Sequence, residues 1–195
     1  MNVARRIRQV HADSVSPSAW RNGGGQTREL LTRPAEGEWQ LRISLADITR
    51  DGPFSAFPGV QRWFGVIAGA GVALRFGQEV RKVTADSSAF EFDGAAAPEC
   101  SLLDGPTRDL NLMVRKGQAR MSRVQAGQAW DEPFDERGMF TTVAGTLRCN
   151  ADEAIALPAL TLVWDLGAEP CRFEPVSTGA AGWWLGWSAL DGRRA

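Results

Sequence analysis

The chain has 195 residues, with 22 Lys+Arg against 23 Asp+Glu, one His, three Cys and no Tyr. That length suits one ordinary domain or two small ones, and a net charge of −1 argues against nucleic-acid or membrane-surface binding, which both depend on a cationic face. Because His11 is the single histidine, a Ser-His-Asp triad or a multi-histidine metal site must use it or not exist, and Tyr-dependent acid–base chemistry is excluded.

Met1 to Ser18 contains Arg5, Arg6 and Arg8 but no following apolar run, so it does not read as a signal peptide. No stretch of about 18 apolar residues is present that would span a membrane as a helix. Cys100, Cys149 and Cys171 are odd in number and widely spaced, without Cys-x-x-Cys, which predicts neither a disulfide framework nor a zinc site. A reducing cytoplasm is the expected compartment.

The first distinctive stretch is Trp20-Arg21-Asn22-Gly23-Gly24-Gly25-Gln26-Thr27-Arg28-Glu29-Leu30. Consecutive glycines permit backbone angles closed to other residues and close approach of another group. The spacing is neither Gly-x-Gly-x-x-Gly nor followed by Gly-Lys-Ser/Thr, so nucleotide binding is disfavoured. A flexible turn, or a rigid loop over a pocket with Asn22, Gln26 or Thr27 aimed inward, remains.

Next, Trp39-x-Leu41-x-Ile43-x-Leu45 alternates as a strand, with Arg42 and Ser44 on the opposite face. That polar face is either solvated or, if the sheet closes into a barrel, lines a polar cavity. The following Phe54, Phe57 and Pro58 would form the apolar rim of a turn that delivers Arg62 to the next strand. Phe64-Gly65-Val66-Ile67-Ala68-Gly69 shares Phe-x-x-(Ile/Val)-Ala-Gly with Phe140-Thr141-Thr142-Val143-Ala144-Gly145, and each runs through a turn into Leu-Arg. This suggests one strand–turn–strand unit in each of two β-halves.

Val72 to Phe76 and Ala89 to Phe92 alternate as further strands. Asp104-Gly105-Pro106 then signals a turn before Thr107 to Arg115, in which Asp109, Asn111 and Met113 share one side and Arg108, Leu110 and Leu112 the other. Later strands are expected over 110–114, 140–143, 161–164 and 183–187. Trp183-Trp184-Leu185-Gly186-Trp187 holds three of the eight tryptophans, as a packed terminal strand or as a homodimer interface. No long capped helix stands out. Many short strands at even spacing predict an all-β chain, divided as residues 1–115 with the Gly-rich segment and residues 116–195.

Four blocks together resemble the HutD/Ves family: Trp20-x-Asn22-Gly23-Gly24-Gly25-x-Thr27-Arg28-Glu29, Arg42-Ile43-Ser44-x-Ala46-x-Ile48, Gly52-Pro53-Phe54-Ser55-x-Phe57-Pro58-Gly59, and Gly105-Pro106-Thr107-x-Asp109-x-Asn111-x-Met113. They cover the chain from about residue 20 to 115 in order. The resemblance implies a bicupin, two small jelly-roll β-barrels in one chain, and an association with bacterial histidine utilisation.

Many cupins hold a metal through His-x-His, a Glu and a later His. The corresponding stretch, Gly59 to Gly77, has no His, Cys, Asp or Glu, and Met139 to Cys149 has no His, so no metal and no other cofactor is expected. Ligand binding asks for less. Of the 22 basic residues only Lys82 and Lys116 are lysines. The arginine excess reflects genomic base composition or a need for the planar fork that grips carboxylates. Arg42, Arg62 or Arg108 would supply that grip. The expected ligand-binding set is Asn22, Thr27, Arg42, Ser44, Arg62, Asp109 and Asn111, with no catalytic residue assigned. The expected partner is a small carboxylate metabolite such as urocanate or a formylated glutamate, and the expected role that of a non-catalytic accessory protein of histidine utilisation. The alternative is a metal-independent isomerase, lyase or amide hydrolase acting on a related acid.

Overall fold

The computed structural model describes residues 7–149 and 154–189. The chain is all-β. Its strands are β1 Arg8–His11, β2 Ser18–Ala19, β3 Gly25–Arg33, β4 Leu41–Ile48, β5 Gly52–Pro53, β6 Gln61–Ala68, β7 Val72–Phe76, β8 Glu79–Val83, β9 Phe90–Asp93, β10 Glu99–Leu102, β11 Thr107–Val114, β12 Gln118–Arg123, β13 Glu136–Thr141, β14 Gly145–Arg148, β15 Ala154–Leu157, β16 Thr161–Trp164, β17 Arg172–Pro175 and β18 Gly182–Ser188. Single 3₁₀ turns at Ala12–Ser14 and Gly94–Ala96 are the only helical elements among the described residues.

Two compact units result. One comprises Val15–Lys116. Within it a six-stranded sheet runs β2-β3-β4-β11-β6-β9 and a four-stranded sheet runs β5-β10-β7-β8. Ile48, Phe64, Val66 and Phe92 of the first sheet pack with Val72, Leu74, Val83 and Cys100 of the second in one buried cluster that Phe54 joins. Each fully buried side chain of this size contributes about 1.5–3 kcal/mol. The β4–β11 ladder is continuous from Ile48↔Thr107 to Leu41↔Val114. Its neighbours break register, between Glu29 and Leu31 on β3 and beside Arg108/Asp109 on the β6 side. Such bulges bend a sheet and re-aim the side chains next to them.

The other unit contains residues from Gly117 onward together with the segment ending at Ser14. Its five-stranded sheet runs β1-β16-β13-β18-β12 and its three-stranded sheet β15-β14-β17. Strand β1 pairs with β16 from Arg8↔Trp164 to His11↔Thr161. Residues 8–14 therefore group with the second half, although the sequence division at 115 placed them with the first. The observed boundary falls between Lys116 and Gly117.

All four sheets are open and no closed barrel is found among the described residues, so the all-β expectation holds and the two expected barrels are not confirmed. The expected strand–turn–strand repeat exists as β6–β7 and β13–β14, and the shared phenylalanines, Phe64 and Phe140, are both fully buried.

The cysteine expectation is corrected. Cys149 and Cys171 form a disulfide, and buried Cys100 is the free cysteine. The pairing follows from register: Arg148 on β14 faces Arg172 on β17, so the next residues outward, Cys149 and Cys171, stand opposite one another. The expectation of a reducing compartment rested in part on unpaired cysteines and loses that part of its basis. No helix among the described residues is long and apolar enough to cross a membrane. The tryptophan-rich stretch is strand β18, held between β13 and β12, with Trp183, Trp184 and Trp187 at 0%, 2% and 6% exposure. It is a packed strand, without the exposed aromatic face a homodimer contact would use.

Gly138 tests this packing. A Cβ there would run into the Trp164 ring and the Val163 carbonyl, and Trp164 is 1% exposed with no room to yield. Gly138→Ala is expected to cost about 1–3 kcal/mol in denaturant unfolding. Gly167→Ala, where a Cβ meets nothing within 4 Å, is expected to stay within about 0.5 kcal/mol of the parent.

Candidate functional site

In the Val15–Lys116 unit, alternation along four neighbouring strands sends one set of side chains to the same side of the six-stranded sheet. Thr27 comes from β3, Arg42, Ser44 and Ala46 from β4, Asp109, Asn111 and Met113 from β11, and Arg62 from β6. Registers Arg42↔Met113, Ser44↔Asn111 and Arg62↔Met113 bring them side by side. They line a cavity of about 420 Å³, closed by Trp20 and Asn22 of the Gly-rich loop and by Phe54 and Phe57 after β5. All seven residues of the expected ligand-binding set line this one cavity.

Main-chain hydrogen bonds pin the Gly-rich loop. Trp20 N donates to Gly25 O at 2.9 Å, Gly23 N to Trp20 O at 3.0 Å, and Thr49 N to Gly24 O at 2.9 Å. Gly23 takes φ +70°, and a Cβ at Gly25 would collide with the Asp47 carbonyl, so these two glycines are required for conformation and for close approach. Asn22 Oδ1 accepts from Gly24 N at 3.0 Å, and the Thr27 hydroxyl accepts from Trp20 Nε1 at 2.7 Å. Both polar groups thus shape the wall as well as face the cavity.

At the floor, Arg62 is 6% exposed and its guanidinium carbon lies 4.9 Å from the Phe92 ring centre, 5.1 Å from Phe54 and 5.7 Å from Phe57. Cation–π contact partly replaces lost water. Arg62 Nη2 donates to Asn111 Oδ1 at 2.8 Å, and Asn111 Nδ2 donates to Asp109 Oδ1 at 2.5 Å. Arg62 Nε and Asp109 Oδ2 are buried and have no hydrogen-bond partner. Burial pushes the Asp109 carboxyl up to about 8, against the pull of Arg62 and the Asn111 hydrogen bond. Burial likewise lowers Arg62 to about 10, opposed by Asp109, and leaves it charged at neutral pH. Arg42 forms an ion pair with Glu29 at 2.9 Å.

Two of the candidates expected from the sequence lie elsewhere. Arg108 and Gln26 turn to the far side of the sheet, where Arg108 Nε (2.5 Å), Arg28 Nη1 (2.8 Å) and Gln26 Nε2 (2.9 Å) all bind Asp47. Burial alone would raise the Asp47 carboxyl, but these hydrogen bonds outweigh it and hold it down at about 2. Arg108 is therefore a structural partner of Asp47 and not a gripping residue. Sequence reasoning missed Ser18, Arg21 and Ser55 in the cavity wall; Arg21 and Ser55 lie in irregular segments and Ser18 on a two-residue strand, where no periodicity reports direction.

The charged groups lining the cavity are Arg21, Arg42, Arg62 and Asp109. One carboxyl among three guanidinium groups does not suit a bound cation, and among the described residues no three His, Cys, Asp or Glu side chains gather as a metal site. The arrangement suits an anion.

The HutD family profile matches residues 12–178. The chain belongs to the HutD family. A relative described as an uncharacterised 21.2 kDa protein in the hutC 3′ region of Pseudomonas putida is 34% identical over 122 residues, which span 62% of this chain and 64% of that protein. The chain thus aligns with less than two thirds of that relative's length. The structure of HutD from Pseudomonas fluorescens SBW25, in a formate condition, superposes with a TM-score of 0.82 at 25% identity, covering 95% of this chain and all of that one. An oxalate decarboxylase of Bacillus subtilis superposes at 0.62 with 9% identity over 97% of this chain and 79% of that one, a likeness of fold alone, which is cupin-like.

The two aspartates predict opposite pH behaviour in this HutD-family chain. Asp47 is depressed on folding, so its contribution is full above about pH 4 and fades as pH falls toward 2. Asp47→Asn is expected to cost about 1–2 kcal/mol at neutral pH and little near pH 2, by denaturant titration. Asp109 is raised on folding, so between about pH 4 and 8 the folded state holds more protons than the unfolded chain and stability falls as pH rises. The stability of Asp109→Asn relative to the parent is expected to climb across that interval; a flat difference contradicts the assignment.

Proposed function

We propose that this HutD-family chain is a double cupin whose Val15–Lys116 unit binds a small carboxylate metabolite, and that it serves histidine utilisation as a non-catalytic accessory or regulatory protein. The observation that carries the proposal is the buried, incompletely satisfied Arg62 in a cavity lined by three arginines and one carboxyl. A guanidinium kept in an apolar pocket with a free donor is poorly solvated, and an incoming carboxylate restores the lost hydrogen bonding. Ser44, Asn111 and Asn22 add directional polar groups, while Phe54, Phe57 and Met113 supply apolar wall. A cavity of about 420 Å³ has room for an acid the size of urocanate or a formylated glutamate. The hutC-region relative and the P. fluorescens HutD structure direct the choice of ligand toward acids of histidine breakdown.

Calorimetry with urocanate and N-formylglutamate is the test. The parent is expected to bind at least one of them, and Arg62→Ala to weaken that binding by about 2–5 kcal/mol, the usual cost of truncating one partner of a buried charged contact. Arg62→Lys keeps the charge but not the planar fork and is expected to recover only part of the loss. Absence of binding for every acid of the pathway contradicts the proposal.

A second reading is favoured by one observation, the raised Asp109 carboxyl with its unpartnered oxygen, since groups with displaced pKa values in clefts are candidate acids and bases. In that reading the chain is a metal-independent enzyme acting on a related acid. Turnover of either acid by the purified protein, abolished in Asp109→Ala, decides for it.

A further inference from the structure

The orientation of one amide fixes how Asp109 meets a ligand. Arg62 has only donors to offer, so the atom of Asn111 that faces its Nη2 at 2.8 Å must be the carbonyl oxygen. The Asn111 amide nitrogen is thereby turned to Asp109, where it donates to Oδ1 at 2.5 Å. Oδ1 is committed as an acceptor. A proton on the carboxyl then belongs on Oδ2, the buried oxygen of this cavity-lining residue that has no partner. The relay Arg62–Asn111–Asp109 leaves one open group at each end, a donor at Arg62 Nε and a proton-bearing oxygen at Asp109.

We propose that Asp109 engages the bound anion as the neutral acid, donating its Oδ2–H to a ligand oxygen, so that filling the cavity takes up a proton whenever Asp109 was ionised beforehand. This rests on the carboxylate-binding reading above and adds to it the protonation state and the polarity required of the ligand: an acceptor at Asp109, not an N–H donor. An ionised Asp109 would place a second negative charge against the incoming carboxylate in a buried site, which the protein avoids by protonating it. No covalent bond between heavy atoms changes; a solvent proton moves onto Asp109 Oδ2 and returns on release.

The charged and titratable groups around Asp109 agree. Arg62 on β6 and Arg42 on β4 are the strand-borne cations of the cavity, and Arg42 is already paired with Glu29 on β3. Asp47 on β4 adds a like charge that raises Asp109 further. Cys100 on β10 is itself pushed up to about 12 by burial and by the charges of Asp109 and Asp51, so it stays a neutral thiol. Asp109 is the group of this set poised to change charge near neutrality.

N-formylglutamate is the probe of choice, because its carboxylates stay ionised and its amide neutral from about pH 6 to 9. Titration calorimetry in two buffers of different ionisation enthalpy reads the protons taken up. The expected result is little uptake near pH 6, uptake approaching one proton per ligand near pH 9, and affinity falling toward about tenfold per pH unit above the carboxyl's own pKa. Asp109→Asn keeps the Oδ1 acceptor and puts a permanent donor at the other position; it is expected to bind within a few-fold of the parent near pH 6, with the pH dependence and proton uptake gone. Binding that is independent of pH in the parent, or that Asp109→Asn weakens at every pH, overturns the proposal while leaving the carboxylate site standing. Absence of binding at any pH overturns both. Carbon-13 NMR of the Asp109 carboxyl gives a ligand-free check: titration in the ordinary aspartate range, with no upward shift on adding probe, also overturns it.

Discussion

The structure of the Val15–Lys116 unit turns on the burial of one positive charge. Arg62 sits at 6% exposure among Phe54, Phe57 and Phe92, where water no longer solvates it and its fork donates to Asn111 while Nε has no partner. An isolated charge in such surroundings is costly, and proteins keep one only where something compensates. Here the aromatic faces and the Asn111–Asp109 relay compensate in part, and on the proposed reading a bound anion would make up the remainder. Placement of the strands follows the same need. The bulge beside Asp109 aims β11 at Arg62, and the Gly-rich loop, pinned to β4 and the segment after it, closes the cavity from the other side.

The second unit buries an arginine whose fork is bonded to main chain, although its Nε, like that of Arg62, has no hydrogen-bond partner. Arg137 is 2% exposed, lies 4.6 Å from the Trp130 ring centre and donates to three backbone carbonyls: Gly167 at 2.5 Å, Glu169 at 2.9 Å and Trp130 at 2.9 Å. Its fork ties a loop down, and the interior beside it is filled by the parallel stack of Trp130 on Trp184, 5.0 Å apart. Both units thus bury an arginine over aromatic rings. Each leaves its Nε without a partner; Arg137 ties its fork to three main-chain carbonyls, whereas Arg62 donates to a side chain, Asn111, and lines the polar-walled cavity. That difference makes the first unit the candidate for binding.

Much of this was legible in the sequence because strands report direction. Strict alternation in Leu41-Arg42-Ile43-Ser44-Leu45 and in Arg108-Asp109-Leu110-Asn111-Leu112-Met113 separates one facing set from the other, and pairing of β4 with β11 then superimposes the two polar sets. Arg62 was legible as the residue at the entry of the next strand. What alternation cannot reveal is partnership between distant elements. Arg108 looked available until Asp47 appeared opposite it, and Cys149 and Cys171, 22 residues apart with no motif, meet only through the β14–β17 register. The pairing of β1 with β16 was hidden for the same reason, since Arg8 to His11 carries no mark of its partner. The matching Phe-x-x-(Ile/Val)-Ala-Gly segments did mark two strand–turn–strand units, and Phe64 and Phe140 are fully buried in them.

Nitrogen-15 NMR of the arginine side chains tests the uncompensated charge most directly. Addition of a small carboxylate such as N-formylglutamate is expected to shift the Arg62 Nε–H resonance strongly downfield and slow its exchange with water, while Arg137, whose fork is already bonded to carbonyls, stays where it is. An Arg62 resonance that does not move at saturating acid, or that moves no more than that of Arg137, contradicts an open anion site in the first unit.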